Sequence, residues 1–215
     1  IRDRIYLAEY AKKGPITNFI RTCIEILSSL PSVVVGLFGY LIFVVQFEYG
    51  FSIISGALAL TVFNLPQMTR NVEDSLLHVH HTQREAGLAL GLSRWETVFH
   101  VVIPEALPGI VTGIVLASGR IFGEAAALIY TAGQSAPALD WSNWNPLSVT
   151  SPISIFRQSE TLAVHIWKVN SEGTIPDATL VSAGSAAVLL IFILIFNFSA
   201  RFIGKKLHSK MTAAK

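Results

Sequence analysis

The sequence predicts an all-α integral membrane protein, and three observations carry that expectation. Of 215 residues, 52% are hydrophobic and only 14% charged, whereas a soluble domain carries roughly a quarter charged residues. Three uncharged runs, residues 26–47, 49–69 and 178–200, contain 22, 21 and 23 residues. Each is long enough for a helix to cross ~30 Å of hydrocarbon. A polar insert at residues 71–103 is rich in helix-capping signals and lies between apolar segments.

The spans follow in order. In the first run, Pro31 sits near the start, where a missing N–H costs nothing, and Gly36 and Gly39 allow close helix approach. The second run ends as the polar insert begins. A further span, residues 106–139, is interrupted by Arg120 and Glu124, and it holds the small-residue pairs Gly109/Gly113 and Gly119/Gly123. Such pairs let helices pack tightly in lipid. The last run gives about four membrane helices in all. The chain opens at Ile1, and residues 1–10 read as the end of a segment already under way, so an N-terminally trimmed product is expected. A single Cys23 excludes an intrachain disulfide framework, and a formal charge of +2 is too small to argue for nucleic acid.

Charge placement orients the spans. Arg201, Lys205, Lys206, Lys210 and Lys215 follow the last run, and Arg2, Arg4, Lys12, Lys13 and Arg21 precede the first. The loop at 131–176 carries only Arg157 and Lys168 as bases. The positive-inside bias therefore places both ends and the 71–103 elbow in the cytoplasm, and the 131–176 loop outside. Trp141, Trp144 and Trp167 suit either an interfacial aromatic belt or packing within that loop.

Within the elbow, Thr82 and Glu85 have capping-box spacing, and Ser93 and Glu96 repeat it. Gly91 is available as a left-handed stop, and Pro104 sits where a fresh helix could begin. Ala86, Leu90, Trp95, Val98 and Phe99 fall on apolar stripes. The helix-turn-helix outline does not suit DNA, because Arg84 and Arg94 are each offset by Glu85 and Glu96 rather than forming a basic surface. His78, His80 and His81 read as a solvated face rather than a metal site.

Glu85-Ala86-Gly87, then Gly91, nine residues, and Val101-x-Ile103-Pro104 resemble the signature of bacterial ABC-importer permeases: Glu-Ala-Ala, three residues, Gly, nine residues, Ile-x-Leu-Pro. The chain departs at Gly87, where helix stability is lowered by ~1 kcal/mol relative to Ala. The resemblance implies a type I ABC-importer permease bundle whose coupling helix, at Glu85, Ala86, Gly87 and Gly91, docks in a cleft of a cytoplasmic ATPase. A permease domain over residues 1–205 with a tail at 206–215 follows from it. No Gly-rich Lys-Ser/Thr phosphate loop occurs in the chain. The chain is therefore expected to be no enzyme and to bind no cofactor, with ATP and Mg held by separate ATPase subunits.

Leu30-Pro31-Ser32-Val33-Val34-Val35-Gly36-Leu37-Phe38, Leu65-Pro66 and Arg120-Ile121-Phe122-Gly123-Glu124-Ala125-Ala126 narrow the resemblance to phosphate permeases. Thr112-Gly113, Tyr130-Thr131-Ala132-Gly133 and Asn197-Phe198-Ser199-Ala200-Arg201 favour the A-type subunit. The family's usual Val-Pro is replaced by Val79-His80. The implied partners are a C-type permease subunit, two cytoplasmic ATPase subunits, an extracytoplasmic phosphate-binding protein, inorganic phosphate and the lipid of a bacterial cytoplasmic membrane. The resemblance also implies two further spans ahead of this chain.

Arg120 lies sixteen residues beyond Pro104, ~24 Å along a helix. A charge so placed costs roughly 2.5–3.5 kcal/mol to insert, so it faces a cavity or a partner. The guanidinium fork suits an oxyanion, and Glu124, one turn on, is expected to hold its rotamer. The alternative is a neutralised pair that only permits insertion. Other readings are a permease for molybdate, sulfate or phosphonate, an ion-coupled secondary transporter, and a membrane scaffold.

Overall fold

The computed structural model describes residues 14–172 and 176–213, and every regular element among them is helical. The expectation for residues 1–10, and Arg2, Arg4, Lys12, Lys13 and Lys215 of the charge argument, lie outside the described residues. So do the side chains of Arg21 and Lys210. The helices are α1 (Pro15–Ser29), α2 (Ser32–Gly39) prolonged by a wide turn at Tyr40–Gln46, α3 (Ile53–Leu77), α4 (His81–Ala89), α5 (Arg94–Thr97), α6 (Ile103–Phe122), α7 (Ala126–Thr131), α8 (Leu162–Glu172) and α9 (Ala178–Ala213).

Among the described residues, two helices are long and apolar enough to cross a bilayer, Arg94–Phe122 and Ala178–Lys206. Thr22–Ser29 with Ser32–Gln46 makes a third if the 97° bend between them lies within one span. The first expected span is therefore not one straight rod. Pro31 has ψ 140° and precedes α2 rather than starting it. Its ring also pushes the residue before it out of the helical region. The second run does become helix, but only from Ile53. Asn64, Pro66 and Gln67 dilute its apolar character, so α3 does not qualify by composition alone.

The 106–139 expectation is corrected at both ends. Pro104 starts no separate helix: α5 runs through a wide turn at Val98–Val102 into α6, giving one 29-residue rod. In the wide turn the Ile103 N–H reaches back five residues to the Val98 carbonyl. That local loosening lets a chain carrying Pro104, which has no N–H, stay helical. At the other end helix stops at Phe122, and Gly123 and Glu124 form tight turns onto Arg120 and Ile121 before α7.

The chain forms two compact units. The first comprises Pro66–Gly119 with stretches near both chain ends; the second comprises Leu27–Leu65 and Arg120–Ile193. In the first unit, Val72, Leu76, Val79, Val98, Val102 and Ala106 are buried together, which fixes the elbow against the end of α3. Gly109 and Gly113 let α6 approach α3 closely. A methyl group on either would lie 2.9 Å from Ser75 Oγ or Asn71 Cβ. The pair Gly119/Gly123 does not pack in this way: among the described residues no side chain of another element lies within 4 Å of the corresponding points. The core of the second unit is Leu128, Ala132 and Val164, with Leu60, Ala125 and Ile129 against it.

Candidate functional site

The elbow is built from α4, a glycine turn and α5. Gly91 has φ +83°, the left-handed conformation that a glycine adopts without a Cβ penalty. The Leu92 N–H donates to the Gly87 carbonyl at 3.2 Å, and the Gly91 N–H to the Leu88 carbonyl at 3.0 Å. These two bonds make a complete Schellman stop, as the sequence led one to expect of Gly91. The second capping box also forms. Glu96 N–H donates to Ser93 Oγ at 3.3 Å, and Ser93 N–H donates to Glu96 Oε2 at 2.8 Å.

The first box does not. Helix α4 begins two residues early, at His81 rather than Gln83, with no side-chain cap from His80. Glu85 turns instead to His81, whose Nδ1 lies 3.1 Å from Glu85 Oε1 one helical turn away. Thr82 Oγ1 lies 3.3 Å from His80 Nδ1. The histidines are thus engaged separately, His78 Nδ1 being 2.6 Å from the Asp74 carbonyl oxygen.

Two contacts that sequence spacing alone did not reveal hold this elbow together. Arg84 Nη2 donates to the Leu76 carbonyl at 2.7 Å, tying α4 to the last turn of α3. Gly87 is buried against α5. A methyl group there would lie 2.8 Å from Thr97 Cγ2 and 3.1 Å from Thr97 Oγ1. Thr97 is itself held by a 3.0 Å bond from Oγ1 to the Ser93 carbonyl. The glycine that departs from the family pattern is therefore matched to a threonine ten residues on.

A double-mutant cycle follows from this contact. Gly87→Ala alone should lower the thermal midpoint of the detergent-purified chain, reflecting the ~1–3 kcal/mol loss of stability typical of an overpacked contact. Combining it with Thr97→Ala should recover most of that loss. Additive losses in the melting measurements would contradict the packing account.

The outer face of the elbow is apolar where charge would be expected. Leu90 is 83% exposed, and Leu88, Trp95 and Phe99 are exposed beside it, with the Trp95 and Phe99 rings 4.3 Å apart. Of the expected stripe only Val98 is buried; Ala86, Leu90, Trp95 and Phe99 face outward. Glu85 is also solvent-facing, with 65% of its side chain exposed.

Arg120 lies in the last turn of α6, exposed, with its guanidinium carbon 4.6 Å from the centre of the Phe63 ring. This cation–π stack, rather than Glu124, sets its pose. Glu124 does not continue the helix face, because the helix has already ended. Its Oε1 accepts from the Ala127 N–H at 3.3 Å, capping α7. Arg120 and Glu124 make no ion pair with each other. Phe63 carried no sequence signal, since it lies 57 residues away and meets Arg120 only in the fold.

The family profile of binding-protein-dependent transport system inner membrane components matches residues 5–213. The chain is 57% identical over 209 residues to the probable ABC transporter permease protein YqgI of Bacillus subtilis, covering 97% of this chain and 71% of that one. It is 36% identical to the phosphate transport system permease protein PstA 2 of Mycobacterium bovis, covering 93% of this chain and 62% of that one. It is 38% identical to the phosphate transport system permease protein PstA of Yersinia pestis, covering 95% and 64%. The chain thus spans about two thirds of the length of these relatives. In fold it resembles a chain of the inward-facing MetNI methionine ABC transporter, with a TM-score of 0.68 at 18% identity, covering 94% of this chain and 82% of that one. The chain belongs to the binding-protein-dependent transport system inner membrane components, the permease subunits of ABC importers.

Proposed function

We propose that this chain is the A-type permease subunit of an ATP-driven phosphate importer, with a path that meets Arg120 and an elbow on which an ATPase docks. The observation that carries the cargo reading is Arg120. A guanidinium stays charged at every relevant pH, and here it is exposed near the end of a membrane-length helix. The PstA relatives support phosphate as the anion. Glu124 lies four residues on in the chain, at the break between α6 and α7, where its charge would moderate how tightly an anion is held.

The docking reading rests on the outward apolar face of Ala86, Leu88, Leu90, Trp95 and Phe99 beside Glu85, together with the rigid Schellman stop at Gly91; Gly87, buried under Thr97, would support that face from beneath. The surrounding assembly would contain a C-type permease subunit, two ATPase subunits carrying ATP and Mg, and an extracytoplasmic phosphate-binding protein. The permease domain is assigned to residues 1–205, with a cytoplasmic tail at 206–215. Both ends and the elbow at 71–103 are placed in the cytoplasm, and the loop at 131–176 outside. Closure of the ATPases would move the elbow and open the path to the loaded binding protein; reopening would release phosphate inward.

A second reading is another oxyanion, since a guanidinium fork suits sulfate or molybdate as well as phosphate. Proteoliposomes holding the full-length importer and its binding protein test both. ATP-dependent uptake of labelled phosphate, resistant to excess sulfate and molybdate, is the expected result. Uptake abolished by either competitor would replace phosphate by that anion.

A further inference from the structure

Between α7 and α8 the chain forms an irregular loop whose tip exposes several large apolar side chains. Trp141, Trp144, Leu147 and Val149 are 68%, 60%, 76% and 58% exposed. Asp140 is the only charged residue between positions 134 and 156. The polar side chains, also largely solvent-facing, bond to the loop's own backbone and to one another. The Asp140 N–H donates to the Thr150 carbonyl at 2.9 Å and closes the loop. Asp140 Oδ1 accepts from the Ser142 N–H at 3.0 Å, and Asn143 Oδ1 from the Asn145 N–H at 3.1 Å. Asn145 Oδ1 accepts from the Leu147 N–H at 3.1 Å, and Asn143 Nδ2 donates to Ser148 Oγ at 3.0 Å. The Ser142 hydroxyl and N–H, donating to the Asp140 carboxylate, hold its pKa below the ordinary range.

The base of the loop is fastened to the start of α3. The Ile53 N–H donates to the Arg157 carbonyl at 2.9 Å, and the Ile54 N–H to the Ile155 carbonyl at 3.0 Å. The Ser159 N–H donates to the Ala132 carbonyl at 3.2 Å. These bonds tie the base of the loop to the start of α3 and to the residue that follows α7. Irregular backbone is tolerated near lipid only where its own polar groups are satisfied, and tryptophan favours the level where acyl chains meet headgroups.

We infer that the tip of this loop, Trp141 to Val149, is a membrane-interface anchor that seats its apolar side chains in the lipid headgroup–acyl boundary. The inference rests on the membrane placement of the permease and is independent of its cargo. Two observations carry it together: two tryptophans, a leucine and a valine exposed at one tip, and backbone N–H groups there satisfied by the loop's own side chains. Docking by the binding protein or by the second permease subunit is the competing occupancy.

The test uses the assembled importer in phosphatidylethanolamine–phosphatidylglycerol nanodiscs with Trp95→Phe and Trp167→Phe, read as the difference from the same importer also carrying Trp141→Phe and Trp144→Phe, so that the signal is that of Trp141 and Trp144. Bromine near the glycerol end of the acyl chains should quench emission roughly twofold, and more than bromine near the methyl end, as interfacial depth requires. Should those tryptophan changes disturb assembly, Leu147→Cys in a Cys23→Ser background, carrying a polarity-sensitive fluorophore, gives an independent reading. Its emission should shift to the blue in nanodiscs without binding protein. Emission indifferent to bromine in both leaflets overturns the anchor. So does quenching that is seen for this chain alone but lost once the second permease subunit is present. Shielding that appears only on adding binding protein assigns the loop to that partner instead. None of these readouts uses phosphate or ATP, so failure of the cargo reading would leave them unchanged.

Discussion

Arg120→Gln is expected to reduce ATP-dependent phosphate uptake to background, a loss of at least about a hundredfold, or ~2.7 kcal/mol of transition-state stabilisation. The change removes the charge while making insertion of α6 easier. Membrane insertion and complex assembly, followed by fractionation and pull-down, should therefore be retained. Arg120→Lys keeps a cation able to lie over Phe63 but loses the planar fork, so it should recover little. Phe63→Leu should act differently. It removes the 4.6 Å stack that poses the guanidinium without removing the anion's partner, and should raise the apparent KM with a smaller effect on maximal uptake.

Because Glu124 caps α7 and does not pair with Arg120, Glu124→Gln, which keeps an acceptor oxygen, should leave the fold intact. The combined Arg120→Gln, Glu124→Gln change separates an anion site from a charge pair that only permits insertion. Parental uptake in the double variant would show that Arg120 is not part of the path.

The membrane class and the elbow were legible in the sequence because both rest on local signals. Uncharged runs of 21 to 23 residues, a left-handed Gly91 and the Ser93–Glu96 box are each complete within a few turns of chain. Breaks and partners were harder. Pro31 and Pro104 have the same chemistry, yet one separates helices bent by 97° and the other lies in a continuous rod. The difference is the wide turn at Val98–Val102, which no spacing rule identifies.

The first capping box failed for a comparable reason. His81 can reach the Glu85 carboxylate from within the helix, and that contact displaced the reciprocal bond to Thr82. The expected Arg120–Glu124 pairing assumed an unbroken helix, and Gly123 ended that assumption one residue too soon. Phe63, Thr97 and the Leu76 carbonyl matter only through long-range packing, so periodicity could not select them.

Gly91→Pro is expected to abolish transport by destroying the shape of the docking elbow. Proline fixes φ near −65°, whereas position 91 has φ +83° and uses its N–H to reach the Leu88 carbonyl. Both the backbone conformation and the bond are lost together. Gly91→Ala keeps the N–H and should be milder, at about 1–2 kcal/mol of left-handed strain, leaving partial transport. Glu85→Lys provides the complementary test, because it reverses the charge on an exposed face while breaking only a surface contact to His81. Such a contact contributes a few tenths of a kcal/mol at most, so a large defect cannot come from unfolding of α4. Glu85→Lys should therefore suppress uptake and sever ATP hydrolysis from stimulation by loaded binding protein, with the melting midpoint nearly unchanged. Measured in the same proteoliposomes, stimulated ATPase activity that survives both Gly91→Pro and Glu85→Lys at the parental level would remove the elbow from the docking interface.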